Sequence, residues 1–246
     1  MTGRADYKAF CTYRDDFRAI VYDIQNAIPD LQKLQQTLIA SREGPDYHVD
    51  TPVVYNNALD DVNEDSDIRL IFVADNPGRR EQAAANRRYL VGPSGKIAEN
   101  FFKGEPDLGI DFRKNVIILN KTPVHTPRTI CLKELCALGG DRLKAVIDES
   151  EAKMAALLAG FFAALRVPVW ISGYSEMRKN GVFARYTSSL RNLLSQGSLD
   201  KNGVFLYRHF SMNQFTIDLR QKILPGESTA DALRRIGAAY RDRILL

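Results

Sequence analysis

The chain of 246 residues holds only three cysteines, three histidines and one tryptophan. Three cysteines (Cys11, Cys131 and Cys136) cannot all pair with one another, which excludes a disulfide framework. No apolar run reaches the roughly 18–20 residues needed to cross a bilayer. The longest candidate, residues 154–169, is shorter and is interrupted by Arg166. The opening stretch MTGRADYKAF has no apolar segment of the secretory kind. A reduced, cytoplasmic protein without a membrane partner is therefore expected. His48 and His125 have no partner at ligand spacing, so no metal site is expected. Neither sign of charge dominates: 34 Lys+Arg stand against 30 Asp+Glu, a net +4. That balance permits an anionic partner without requiring one. Sixteen Gly and ten Pro are ordinary numbers and exclude low-complexity architectures. What remains is a 45% hydrophobic, 26% charged chain, long enough to bury a substantial core.

The first forty or so residues have helical periodicity. Tyr7, Phe10, Phe17, Ile20, Val21 and Ile24 fall on one face, and Leu31, Leu34, Leu38 and Ile39 on another. Pro29 separates these two helices. The acidic run DDVNEDSD (residues 60–67) reads as a solvated loop facing away from any phosphate. Four short apolar runs follow: residues 68–74, 116–119, 167–172 and 204–207. Near-continuous apolar runs of this length fit strands buried on both faces of a parallel sheet. Helical segments alternate with them, at residues 95–103, 130–138, 142–165 and 182–194, with a last one at 229–243 opened by Thr229 as N-cap. Alternation of this kind predicts a three-layer αβα sandwich around a four-stranded, mostly parallel sheet. No internal repeat or linker is present. The expectation is one domain over 1–246, with 1–45 as a helical N-terminal extension.

In open α/β sheets ligands collect at the carboxyl ends of the strands. After the first strand comes Asp75-Asn76-Pro77-Gly78-Arg79-Arg80. After the second comes Asn120-Lys121-Thr122-Pro123, with His125 and Arg128 beyond. After the third comes Gly173-Tyr174-Ser175-Glu176. After the fourth comes His209-Phe210-Ser211-Met212-Asn213. One rim thus gathers groups able to position water, read a base edge and stabilise an anion. Arg79, Arg80, Arg87, Arg88 and Arg128 bias that end toward a polyanion.

Three of these segments, with the stretch at residues 88–95, resemble motifs of the uracil-DNA glycosylase superfamily. Ala74-Asp75-Asn76-Pro77-Gly78 is similar to the family's G-x-N-P-G or G-E-A-P-G turn. Residues 88–95, RYLVGPSG, are similar to the R-P-F-V-G-x-x-G segment of the iron–sulfur branches. Asn120 ends the second strand as the family's base-reading Asn does, and His209-Phe210-Ser211 matches the final H-P-S. The likeness covers residues 45–220 in order. It implies an enzyme that flips a damaged base out of DNA and cuts its N-glycosidic bond. Under it, Asp75 or Asn76 holds the attacking water, and His209 stabilises charge on the departing base. Asn120 reads the base edge, with Tyr89 or Leu90 at the stacking position. Phe210, Met212 and Asn213 form a loop entering the minor groove. Backbone amides around Gly78 and Ser211, together with Arg79 and Arg88, meet phosphates. Ala74 replaces the leading Gly, and Phe210 replaces Pro. The four cluster cysteines of the iron–sulfur branches are missing, so no cluster and no cofactor are expected. The implied partner is DNA, bound by a monomer.

Other chemistries fit less well. Asn76-Pro77-Gly78 is also a common turn sequence. Residues 92–96, GPSGK, fail the phosphate-loop pattern, because position 90 is Leu and Ile97 follows the lysine. Gly173-Tyr174-Ser175-Glu176-Met177 half resembles a nucleophile elbow, with Asp200 and His209 completing a Ser–Asp–His order, but Met177 stands where Gly is needed. A catalytically inactive, nucleic-acid-binding module on the same fold is the non-enzymatic alternative.

Overall fold

A computed structural model describes residues 6–44 and 46–246. The first five residues of the expected extension, and residue 45, lie outside the described set. Four strands, β1 (Leu70–Ala74), β2 (Val116–Asn120), β3 (Val169–Ser172) and β4 (Val204–Tyr207), form one sheet in the order β2-β1-β3-β4. Every pairing is parallel, so the sheet is wholly rather than mostly parallel. Every strand residue is buried, which is why the four runs read as continuous apolar stretches and not as alternating ones.

The register puts Ile118, Phe72, Trp170 and Phe205 side by side on one face. A one-turn helix, α3 (Arg79–Gln82), follows β1, and helices α4 (Pro93–Gly104), α7 (Gln214–Lys222) and α8 (Thr229–Leu245) cover that face. Phe102 of α4 stacks on Trp170 at 5.6 Å between centroids, and Phe215 of α7 lies 6.1 Å from the same ring. Gly237 brings α8 against Phe205 and Tyr207. Helix α5 (Cys131–Leu165), kinked at Gly140 where φ is 66°, belongs to the opposite layer and packs against α6 (Ala184–Ser195). Gly140 is itself non-helical (φ 66°, ψ −165°), so α5 consists of two helical pieces broken there, as expected from the separate segments 130–138 and 142–165.

The N-terminal helices α1 (Tyr7–Ala27) and α2 (Leu31–Arg42) pack on α5 and share the main core. Phe10 meets Phe161 at 5.3 Å. Asp6 caps α1 by accepting from the Ala9 N–H at 3.0 Å. Ser228, and not Thr229, caps α8. Helix α7 lies where no helix was expected: of its nine residues only Phe215, Asp218 and Leu219 are buried, so its periodicity is faint. No helix of the described residues is long and apolar enough to cross a membrane.

Candidate active site

The strand order reverses direction between β1 and β3, the place where open α/β sheets form a crevice. A cavity of about 360 Å³ opens at the carboxyl ends of β1, β2 and β4. Asp75 and Asn76 follow β1, Asn120 ends β2 and His209 follows β4, and all four line it. Gly78, Arg79, Arg80, Leu90 and Arg128 complete much of the wall. Larger clefts of about 700 and 620 Å³ lie elsewhere and gather none of these strand-end groups.

Asp75 is held on three sides. Its Oδ1 accepts from Lys121 Nζ at 2.5 Å, and its Oδ2 accepts from the Thr129 hydroxyl at 3.1 Å. Behind it, Gly173 (φ 75°) leaves no room for a side chain, since a Cβ there would sit 2.5 Å from Oδ1. Lys121 has no exposed surface and also donates to the Ser172 carbonyl at 2.6 Å. A buried ammonium is costly unless paired in this way. Sequence reasoning stopped at Asn120 and missed Lys121. A lysine carries no apolar signal, and its partner is 46 residues away.

Asn120 is 2% exposed, and its amide makes no hydrogen bond to the described residues and is open only to the cavity it lines. A carboxamide that opens onto a cavity without protein partners keeps its donor and acceptor free for a ligand or water. Asn76 differs: its Nδ2 donates to Thr126 Oγ1 at 2.8 Å, tying the turn to the segment after β2. Of the two candidates for holding a water, Asp75 is therefore the ionisable one and Asn76 is partly committed to structure.

His209 Nδ1 accepts from the Ser211 N–H at 2.9 Å. That bond puts the proton of the neutral ring on Nε2. The ring is partly open to the cavity but otherwise enclosed. Desolvation pushes its pKa below the usual histidine value; Asp75 opposes this and Lys121 adds to it. His209 is therefore a neutral N–H donor at neutral pH. Glu81 is buried, and burial raises its carboxyl pKa; it caps the turn by accepting from the Gly78 N–H. Gly95 lets the first turn of α4 close on Leu90, whose carbonyl carbon would lie 2.3 Å from any Cβ.

Several expected roles do not survive this geometry. Tyr89 is buried away from the cavity, with its hydroxyl on the Val54 carbonyl at 2.6 Å, so it offers no stacking plate. Leu90 does reach the wall, with left-handed backbone (φ 51°). Arg88 turns to the acidic run and pairs with Asp61 at 2.5 Å, off the rim. The Gly78 and Ser211 amides are occupied by Glu81 and His209 and cannot serve phosphate. Phe210 is core, stacked on Phe215 at 4.2 Å. Met212 and Asn213 both have left-handed backbone, and Met212 projects with 82% of its surface exposed. His125, placed on the rim beyond the second strand by the sequence, is buried: its Nδ1–H donates to the Pro77 carbonyl at 2.8 Å, and Tyr47 donates to Nε2 at 3.0 Å. Ser175 is exposed and has no hydrogen bond to His209, while Asp200 caps a separate turn at Asn202, so no Ser–Asp–His array forms. Among the described residues no group of His, Cys, Asp or Glu is arranged to hold a metal ion.

Arg79 and Arg128 are anchored at the cavity mouth. The Arg79 guanidinium sits 4.6 Å from the centre of the Tyr47 ring, and Arg128 pairs with Glu43 at 3.0 Å. With Arg80 they make the mouth basic. A neutral donor, a buried carboxylate and a free carboxamide thus face one space under a positive rim. No family model matches the chain, and a search of curated proteins finds no match.

Proposed function

We propose that the chain is a DNA glycosylase that hydrolyses the N-glycosidic bond of uracil or a related damaged base. The observation that carries this reading is the convergence of Asp75, Asn120 and His209 on one cavity, with the Asn120 amide facing it and free of protein partners. A carboxamide offers one acceptor and two donors, which suits the imide edge of a flipped base. As the C1′–N bond breaks, its electron pair goes to the base and the sugar becomes cation-like. His209 Nε2–H donates to the base oxygen where negative charge grows. The Asp75 carboxylate holds the water that adds to C1′ and offsets the positive charge of the sugar. Met212, apolar and projecting, fills the gap left in the duplex. Arg79, Arg80 and Arg128 meet the phosphates. The resemblance to the uracil-DNA glycosylase superfamily supports the same assignment.

The test is incubation with labelled oligonucleotides carrying one uracil, hypoxanthine or xanthine, followed by alkali. Strand breaks at the modified site support the proposal. No break above background on any of them, together with salt-dependent DNA binding, would instead indicate a binding module.

A further inference from the structure

We propose that Lys121 is a positioning residue of this site: its buried ammonium fixes the Asp75 carboxylate at the cavity and balances its charge beside His209. The catalytic meaning of this inference rests on the glycosylase reading; the charge balance rests on the geometry.

The ammonium has no exposed surface and three contacts: Asp75 Oδ1 at 2.5 Å, the Ser172 carbonyl at 2.6 Å and the Phe183 ring at 4.9 Å. A buried ion pair adds little net stability over an apolar pair of the same size. Its distinctive effects here are geometric and electrostatic. Geometrically, Lys121, Thr129 and the bare Gly173 backbone leave Asp75 a single carboxylate orientation. Oδ1 is taken up by Lys121, and Oδ2 is shared only with a hydroxyl.

Electrostatically, the strand ends bring three titratable groups together. His209 shares the cavity with Asp75, Arg79, Arg80, Arg128 and the buried Glu81, and the charges of Asp75 and Lys121 both bear on its ring. Arg208, its chain neighbour, is turned to Gln214. Glu151 of α5 also senses Lys121, but burial pushes its carboxyl up to about 8, so it is uncharged at neutral pH. Asp75 is therefore the counter-charge of Lys121, and Lys121 that of Asp75. Without the ammonium, a bare buried carboxylate beside His209 would draw a proton onto the ring. An imidazolium would have to give up the Ser211 N–H bond at Nδ1, and with it the contact that orders the ring and aims its Nε2–H donor.

The experiment is an NMR titration of the His209 ring, assigned by its absence in His209→Gln. It is run on wild type, Lys121→Met, Lys121→Arg, Asp75→Asn and the Lys121→Met/Asp75→Asn double variant, each checked for folding by circular dichroism. In Lys121→Met the His209 midpoint is expected to rise by about one pH unit or more. It falls in Asp75→Asn, and it returns near the wild-type value in Lys121→Arg and in the double variant. The acidic limb of the base-release profile moves with it in Lys121→Met. If that variant does not fold, the Asp75→Asn and double-variant titrations decide. An unmoved midpoint in folded Lys121→Met, or in Asp75→Asn, overturns the inference. Midpoints that move as stated, with no base release from any substrate, support the charge balance and overturn the glycosylase reading alone.

Discussion

Acid should loosen the candidate site through His125, a residue that touches no substrate in this account. His125 is fully buried between Tyr47 and the Pro77 carbonyl, and desolvation lowers its pKa from 6.5 to about 4. Between those two values the unfolded chain binds a proton that the folded one refuses. The folded pKa is depressed, so the associated stability is complete above about pH 6.5 and is lost as pH falls toward 4. Each pH unit in that window costs about 1.4 kcal/mol, or about 2 kcal/mol between pH 6.5 and 5. The consequence is local as well as global. The Nδ1–H bond to Pro77 and the Asn76–Thr126 bond both pin the turn that carries Asp75. The assay is urea unfolding of wild type and His125→Gln at a series of pH values, with the midpoint and slope compared. His125→Gln should be less stable at pH 7 by about 1–3 kcal/mol, because Pro77 and Tyr47 lose a fitted partner. It should then lose less stability than wild type, by about 2 kcal/mol, on going from pH 6.5 to 5. Parallel pH dependences in the two proteins would refute the reasoning.

Three further outcomes are expected. Glu151, buried and raised to about 8, contributes stability that is present at low pH and lost as pH rises through 8; wild type should lose about 1 kcal/mol more than Glu151→Gln between pH 7 and 8 in the same unfolding assay. Gly173→Ala would press a Cβ onto Asp75 Oδ1 at a left-handed backbone position; it should cost about 1–2 kcal/mol in thermal unfolding and depress base release far more than that destabilisation explains. Met212→Ala removes an 82% exposed side chain; stability should stay within about 0.5 kcal/mol, while release from duplex DNA slows more than release from single strands, and equal slowing would count against a wedge role.

The sheet is the most legible part of this chain. Its strands are apolar on both faces, so residues 204–207 match β4 end to end and the other three differ by one or two residues. The strand ends are equally legible, because parallel topology forces whatever follows each strand onto one rim: Asp75, Asn120 and His209 meet there. What escapes a linear reading are partners from distant chain. Lys121 looks like a surface lysine until Asp75 is brought beside it. His125 looks like a loop histidine until Tyr47, 78 residues away, closes over it. Arg88 looks like part of a basic rim until Asp61 captures it. Tyr89 and Phe210 are aromatic, and composition cannot say whether an aromatic ring faces a base or the core; Val54 and Phe215 decide that.

The central claim is that a carboxamide facing the cavity without protein partners and a neutral imidazole donor cooperate to release a base. It is tested most directly by single-turnover release of free base from a uracil-containing oligonucleotide, measured by chromatography for wild type, Asn120→Ala and His209→Ala with DNA binding followed in parallel. The account predicts release by wild type and at least about a 100-fold slowing in each variant, with DNA affinity within a few-fold of wild type. Release that persists unchanged in either variant would contradict it.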